Sequence, residues 1–166
     1  MTLVKLDAKW SASLSVGITS QSPERIHPPV NALMLKKGAF VISGCSVYQN
    51  GVKISGQFGP NLDMLQAGSK IGVSIIHDEL HLFINNVDHG AAVQLPPSNS
   101  GSCYHAVVDL YGQCAEISLD ENVVVEKTVE SIVMPCAEKL DNNVVRVLHN
   151  FLIVMFTFTF KARRSN

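Results

Sequence analysis

The chain has 166 residues, of which 46% are hydrophobic, and its net charge is −1. This composition is sufficient for the core of one domain and excludes a chain that is disordered throughout. The balanced charge also excludes a general nucleic-acid binder, which needs an excess of Lys and Arg to neutralise phosphates.

The four cysteines are widely spaced and form no CxxC pair. This spacing favours buried free thiols in a reducing compartment over a disulfide framework. The first ten residues contain no apolar run as long as that of a signal peptide. The sequence therefore predicts a cytoplasmic protein.

The first clear element is an alternation of apolar and small polar residues from Trp10 to Thr19. A period of two predicts an antiparallel strand with one solvent-exposed face, which carries Ser15 and Thr19. Trp10 begins the apolar stripe, so core burial is favoured over a ligand platform. Residues 20–32 contain three prolines and predict a long loop, because proline cannot take part in regular strand pairing.

A hairpin is predicted at Asn50-Gly51. The Asn-Gly pair lies between residues 46–48 and 52–54, which are rich in β-branched side chains, and both turn positions need positive φ. Residues 40–42 predict a further strand before it. Tyr48 stands beside this turn, where contact with a partner and simple packing are equally good interpretations.

The central hairpin is predicted from Ile71 to Asn85, because apolar residues alternate along both of its arms. Residues 77–79 form its polar loop, and Asn85-Asn86 predicts a second turn, since Asn tolerates positive φ. Two more strands are predicted at residues 104–111 and 115–119. About seven short strands separated by turn residues indicate an all-β protein, an antiparallel β-sandwich.

The chain changes character after Leu119. Residues 120–134 could be strand or loop. Leu140, Val144 and Val147 fall at helical spacing and predict a short amphipathic helix over about residues 137–150. The apolar run that begins at Phe151 is too short to span a bilayer and indicates a strand or an aggregation-prone tail rather than a membrane anchor. The expected appendage is therefore helical or extended.

Histidines raise the question of a metal site. Zinc needs three or four converging ligands, but the histidines follow no known ligand spacing, and two of them are predicted on solvent-exposed faces of different strands. No metal is predicted. The residues considered were His77, His81, His89, Cys103 and His105.

No catalytic motif is present either. The sequence contains no GxSxG elbow and no glycine-rich phosphate loop. Asp63, Asp78 and Asp88 fall at turns, where Asp commonly bonds its own backbone. The sequence thus predicts no catalytic residues, no cofactor and no enzyme activity.

Five segments, taken in order, resemble the neuralized homology repeat. The resemblance implies a lectin-like or SPRY-like β-sandwich that binds proteins. It spans Trp10 to Leu119, which gives a repeat domain over residues 1–120 and a C-terminal extension, for which poor order is an expectation, over residues 121–166. The segments are WSASLSVGITSQSPE, GAFVISGCSVYQNG, GPNLDMLQAGSKIGV, ELHLFINNVDHGAA and AVVDLYGQC.

Better-known members of this family pair such repeats with a RING finger and mark Notch ligands for endocytosis by ubiquitination. One member without a RING finger is associated with centrosomes and ubiquitin-ligase regulation. Four cysteines cannot supply the zinc ligands of a RING finger. The resemblance therefore implies an adaptor or substrate-recognition element whose partners are ubiquitin-ligase components or their substrates, at a cytoplasmic or centrosomal location.

Only nine residues precede Trp10, where a full repeat has several strands. The repeat is accordingly expected to be truncated, which would leave sheet edges uncovered. The C-terminal extension is a candidate to cover them.

The sequence leaves three functions to compare. A non-catalytic protein-interaction module is favoured, because loops on a rigid sheet scaffold are where such folds bind. A carbohydrate-binding domain is the alternative, and its polar groups would be Asn61, Asp63, Asn85 and Asp88. An enzyme would use His81, Cys103 and His105. For the favoured function, loop position predicts protein contacts at Arg25, His27, Tyr48 and Asn50.

Overall fold

The computed structural model describes residues 1–6, 14–26, 29–97, 103–111, 114–118, 137–141, 144–147 and 151–156. Within these residues the chain forms thirteen strands and three short 3₁₀ helices, at Pro23–Arg25, Ala32–Met34 and Leu62–Met64. The strands are β1 (Thr2–Leu6), β2 (Leu14–Thr19), β3 (Ala39–Ser43), β4 (Ser46–Gln49), β5 (Val52–Ser55), β6 (Ile71–Ile76), β7 (Glu79–Ile84), β8 (Val87–Gln94), β9 (His105–Tyr111), β10 (Cys114–Ser118), β11 (Ala137–Asp141), β12 (Val144–Val147) and β13 (Phe151–Phe156).

One layer is a six-stranded antiparallel sheet in the order β13-β9-β2-β3-β4-β5. β2 lies at its centre, where Val16 pairs with Ile42 of β3 and with Val108 of β9. Apolar alternation on β2 and β9 points one face of this sheet, the inner face, at the rest of the protein.

The other layer contains two smaller sheets, β6-β7-β8 and β1-β10-β12-β11. The N-terminal residues join them: Thr2 forms a bridge with Lys70, and the N–H of Ile71 donates to the carbonyl of Met1 at 2.8 Å. The core lies between the layers. Leu80 and Leu82 of β7 are fully buried there, and Leu82 packs with Val16 and Leu110. The all-β sandwich predicted from strand rhythm is confirmed.

The predicted turns are confirmed in detail. Asn50 and Gly51 have φ of 54° and 80°, so the β4–β5 connection is a two-residue turn with both φ values positive. His77 and Asp78 form the β6–β7 turn in the same way, and Glu79 already belongs to β7. The Asn85-Asn86 turn between β7 and β8 also has positive φ at both residues.

The prediction of a solvent-exposed face on β2 is wrong. Ser15 and Thr19 are 0% exposed, and His105, which was also predicted on a wet face, is 8% exposed. Residues 20–26 and 29–37 lie over this outer face and exclude water from it. The alternation of apolar and small polar residues on β2 therefore reflects two buried faces, an apolar inner face and an outer face of mixed polarity.

The helix predicted over residues 137–150 is also wrong. Residues Ala137–Asp141 and Val144–Val147 are strands, and β12 pairs with β10 from Glu116↔Arg146 to Ser118↔Val144. β-branched valines favour extended backbone, and pairing with β10 provides hydrogen-bond partners for the backbone in that conformation. β13 pairs with β9 over six residues, in agreement with the extended alternative.

Some predictions fall outside the described residues, namely those for Trp10, His27 and residues 120–134. The side chains of two of the four cysteines are described: Cys45 and Cys103 carry free thiols and are half-buried rather than buried. No helix in the described part of the chain is long and apolar enough to cross a membrane.

Candidate interaction surface

The outer face of the six-stranded sheet is covered by residues 20–26 and 29–37, which we call the covering segment. Its two ends meet where the N–H of Ser20 donates to the carbonyl of Gly38 at 2.9 Å. Three of its apolar side chains are buried against three from the sheet, and this packing holds the segment in place. The buried residues are Ile26, Ala32 and Leu35 from the segment and Ala39, Val41 and Val107 from the sheet.

A carboxylate fixes the middle of the covering segment. The backbone N–H of Ala32 donates to Oδ2 of Asp109 on β9 at 2.8 Å, and Asp109 is 0% exposed. Burial raises the pKa of Asp109 to about 6, although the N–H of Ala32 opposes this shift. Among the described residues, nothing hydrogen-bonds to its other oxygen, Oδ1. Asp109 is therefore an anchor of the covering segment.

A hydroxyl pair closes one end of the same face. The hydroxyl of Ser43, on β3, lies 2.9 Å from the hydroxyl of Tyr111, on β9. Burial raises the pKa of Tyr111, the hydrogen bond to Ser43 opposes this shift, and the negative charges of Asp63 and Asp109 add to it. A tyrosine with a raised pKa stays protonated and is a poor general base, so this pair favours a structural role over catalysis.

The structure does not bring the proposed catalytic residues together. His105 lies on the outer face of the six-stranded sheet and His81 on the outer face of the other layer, because their neighbours Ala106 and Leu82 point into the core between the layers. Along β9, His105 and Asp109 are four residues apart, which separates their Cα atoms by about 13 Å. No group of His, Cys, Asp or Glu in the described ranges has the geometry of a metal site.

His81 is instead part of a surface network on β7 and β8. Its Nδ1 lies 3.0 Å from Oδ2 of Asp88, and its Nε2 lies 3.6 Å from Oε2 of Glu79. Asp88 also accepts the N–H of Gly90 at 2.8 Å. The backbone bond from Gly90, followed by the bond to His81, lowers the pKa of Asp88. Asp88 bonds nearby backbone, as predicted, but it lies in β8 and not in a turn.

Two of the polar residues considered for a carbohydrate site accept backbone hydrogen bonds. Oδ1 of Asn61 accepts the N–H of Asp63 at 3.0 Å, and Oδ1 of Asn85 accepts the N–H of Lys70 at 2.9 Å. Side chains that satisfy backbone donors have less capacity to bind sugar hydroxyls. Their geometry thus gives the carbohydrate alternative no support.

Three of the four predicted contact residues can be placed. Arg25 is exposed at the end of the first 3₁₀ helix. Tyr48 is half-buried on β4 and packs beside the covering segment. Asn50 has a structural role as well, because its Oδ1 accepts the N–H of Ala39 at 3.1 Å and its own N–H donates to the Ala39 carbonyl at 2.8 Å. His27 lies outside the described residues.

Sequence reasoning missed the surface where the covering segment meets β5. A Cβ placed on Gly51 would lie 3.0 Å from the carbonyl of Leu33 and 2.9 Å from Nζ of Lys36, so the segment touches the β4–β5 turn. The exposed apolar residues in a predicted loop and in a short strand were the available signal. We call this surface the β5 rim, and it consists of Met34, Lys36, Tyr48, Val52, Lys53 and Ile54.

The comparison with known families agrees with the fold. A family model described as Neuralized matches residues 1–120 of the 166. The matched range contains β1 to β10, the covering segment and the β5 rim. Neuralized domains are protein-binding modules, and this chain belongs to the Neuralized family.

Proposed function

We propose that this protein is a non-catalytic interaction module that acts as an adaptor or substrate-recognition element in ubiquitin ligation, in the cytoplasm and at the centrosome. The repeat domain spans residues 1–120, and residues 121–166 form a C-terminal extension. The five sequence segments quoted above resemble in detail the repeats of neuralized-like protein 4, which lacks a RING finger. Partners are ubiquitin-ligase components or their substrates, and they contact the surface around Arg25, His27, Tyr48 and Asn50.

The observation that supports this function is the covering segment. It is held by a buried carboxylate and an apolar cluster, and it presents exposed side chains beside the β4–β5 hairpin. Val30 and Met34 of the segment are 65% and 48% exposed. A rigidly held loop with exposed apolar groups suits protein recognition, since little ordering is needed on binding.

The test is affinity capture from a cytosolic extract with the full chain as bait. We expect the unaltered chain to retain ubiquitin-ligase subunits or their substrates, and the double variant Arg25→Glu, Tyr48→Ala to lose them. Lys70→Glu is the matched control, because Lys70 is exposed on the opposite layer. Circular dichroism establishes that all three proteins are folded.

Capture that is identical in all three proteins would refute the predicted contact surface. Captured proteins that include no component or substrate of a ubiquitin ligase would refute the ubiquitin link. A glycan array tests the carbohydrate alternative, for which binding to a sugar that is lost in Asn85→Ala would be required.

A further inference from the structure

The edge of the six-stranded sheet is open at β5. β5 is the last strand in the order β13-β9-β2-β3-β4-β5. Gln49 and Val52 flank the two-residue turn and form its hydrogen-bonded pair, so the next pair, Tyr48 and Lys53, is of the non-hydrogen-bonded type. The N–H and C=O of Lys53 therefore point away from β4. Outside the strand pairing, no described residue hydrogen-bonds to them.

The side chains of β5 are unusually exposed for an apolar strand. Val52 and Ile54 are 64% and 48% exposed. Ile54 lies where the β4–β5 register shifts, and Lys53 stands between the two apolar residues. A shifted register and a lysine are common means of preventing an edge from pairing with another copy of itself, because two such edges would bring lysines together. A second copy of this chain is thus a poor occupant.

Charge favours an acidic occupant. Residues 14–58, which contain β2 to β5 and the covering segment, hold four Lys or Arg residues and one acid, a net charge of +3. Residues 59–97, which contain β6 to β8, hold one Lys and four acids, a net charge of −3. Lys36 lies against the Asn50-Gly51 turn, and Lys53 follows two residues later. Both lysines are exposed on the β5 rim.

We propose that an extended acidic segment of a partner protein adds to β5 as a further strand. Its backbone bonds the free N–H and C=O of Lys53, its carboxylates meet Lys36 and Lys53, and its aliphatic side chains cover Val52 and Ile54. Strand addition of this kind takes affinity from the main chain and specificity from alternate side chains. This inference rests on the proposed function and names the chemistry of the partner.

The first test selects peptides from a random 12-residue display library on the full chain. We expect selected peptides to combine two or more acidic residues with alternating aliphatic residues and to lack proline in their centre. Selection of neutral or basic peptides, or of none, would overturn the proposal. It would leave the proposed function intact if affinity capture still depends on Arg25 and Tyr48.

The second test measures the affinity of a selected peptide by fluorescence anisotropy. We expect the double variant Lys36→Glu, Lys53→Glu to bind about tenfold more weakly, and higher salt to weaken binding to the unaltered chain, as for exposed ion pairs. The Lys70→Glu control should bind normally. Lys36→Gln, Lys53→Gln replaces the double variant if circular dichroism shows that charge reversal unfolds it.

The third test separates strand addition from other modes. Methylation of the central backbone nitrogens of the peptide should abolish binding, because those donors pair with β5. Retained affinity would mean that only side chains are recognised and would overturn strand addition. Phosphatidylserine vesicles and single-stranded RNA are offered in parallel. Binding of either with the same lysine dependence, in the absence of peptide binding, would assign the rim to a different anion.

Discussion

Replacement of Asp109 by asparagine tests the anchor of the covering segment. The carboxylate is fully buried, accepts one backbone hydrogen bond from Ala32 and has a pKa raised by burial to about 6. Asparagine has nearly the same shape and can accept the same bond through its amide oxygen, but it does not titrate. The variant therefore removes the charge and keeps the contact.

The sign of the effect follows from the direction of the shift. The folded-state pKa of Asp109, about 6, lies above its ordinary value of 3.8, so the carboxyl stabilises the fold below the ordinary value. This contribution is lost as pH rises through about 6. The two pKa values correspond to about 3 kcal/mol over the whole window and to about 2 kcal/mol between about pH 4.5 and pH 7.5. Relative to the unaltered chain, Asp109→Asn should gain that 2 kcal/mol as pH is raised.

Urea denaturation of both full-length proteins, followed by circular dichroism at the two pH values, gives the difference. Asp88→Asn is the control of opposite sign. The fold lowers the pKa of Asp88, so this carboxylate stabilises the folded state above its ordinary pKa. The contribution is lost as pH falls. A difference between Asp109→Asn and the unaltered chain that is the same at both pH values, within about 0.5 kcal/mol, would refute the assignment of Asp109 as a buried, destabilised anion.

Two glycine substitutions test close approaches of the backbone, one between β2 and β3 and one between the β4–β5 turn and the covering segment. Gly17→Ala should lower the unfolding free energy by about 3 kcal/mol or more, because its Cβ would lie 2.0 Å from the carbonyl of Phe40 on the neighbouring strand. A loss under about 1 kcal/mol in urea denaturation would contradict that geometry. Gly51→Ala should lower the unfolding free energy by about 2 kcal/mol, and its matched control Gly68→Ala should lower it by about 1 kcal/mol. Both glycines have positive φ, but only a Cβ on Gly51 would meet the carbonyl of Leu33. Equal losses for the two variants would show that the covering segment does not press on the β4–β5 turn.

Local sequence determined the hairpins. Asn50-Gly51 and Asn85-Asn86 specify turns through the backbone conformations that Asn and Gly tolerate, and the alternation on β7 specifies which side chains are buried. These features depend on neighbours within a few residues, so a single chain reveals them. β1 was not predicted, because its five residues carry no turn signal and depend on pairing with the distant β10.

The polar residues of β2 and β9 show where local reasoning fails. Ser15 and Asp109 alternate with apolar residues, which is the usual pattern of a strand with one exposed face. Their burial depends on the covering segment, whose prolines and lack of periodicity indicate only a loop. The β5 rim could not be predicted for a related reason. The sequence Val52-Lys53-Ile54 does not reveal which strand lies at the edge of the sheet.

Burial on both sides also decides where this sandwich can bind. The inner face of β2, β3 and β9 packs against the other layer, and the outer face carries the covering segment anchored by Asp109. Along these strands neither face is open to a partner. Recognition by the six-stranded layer must then use the covering segment itself or a sheet edge, and the two meet at Gly51. A partner that binds there contacts a strand edge with free backbone groups and a loop held by an ionisable anchor, so its affinity should depend on both.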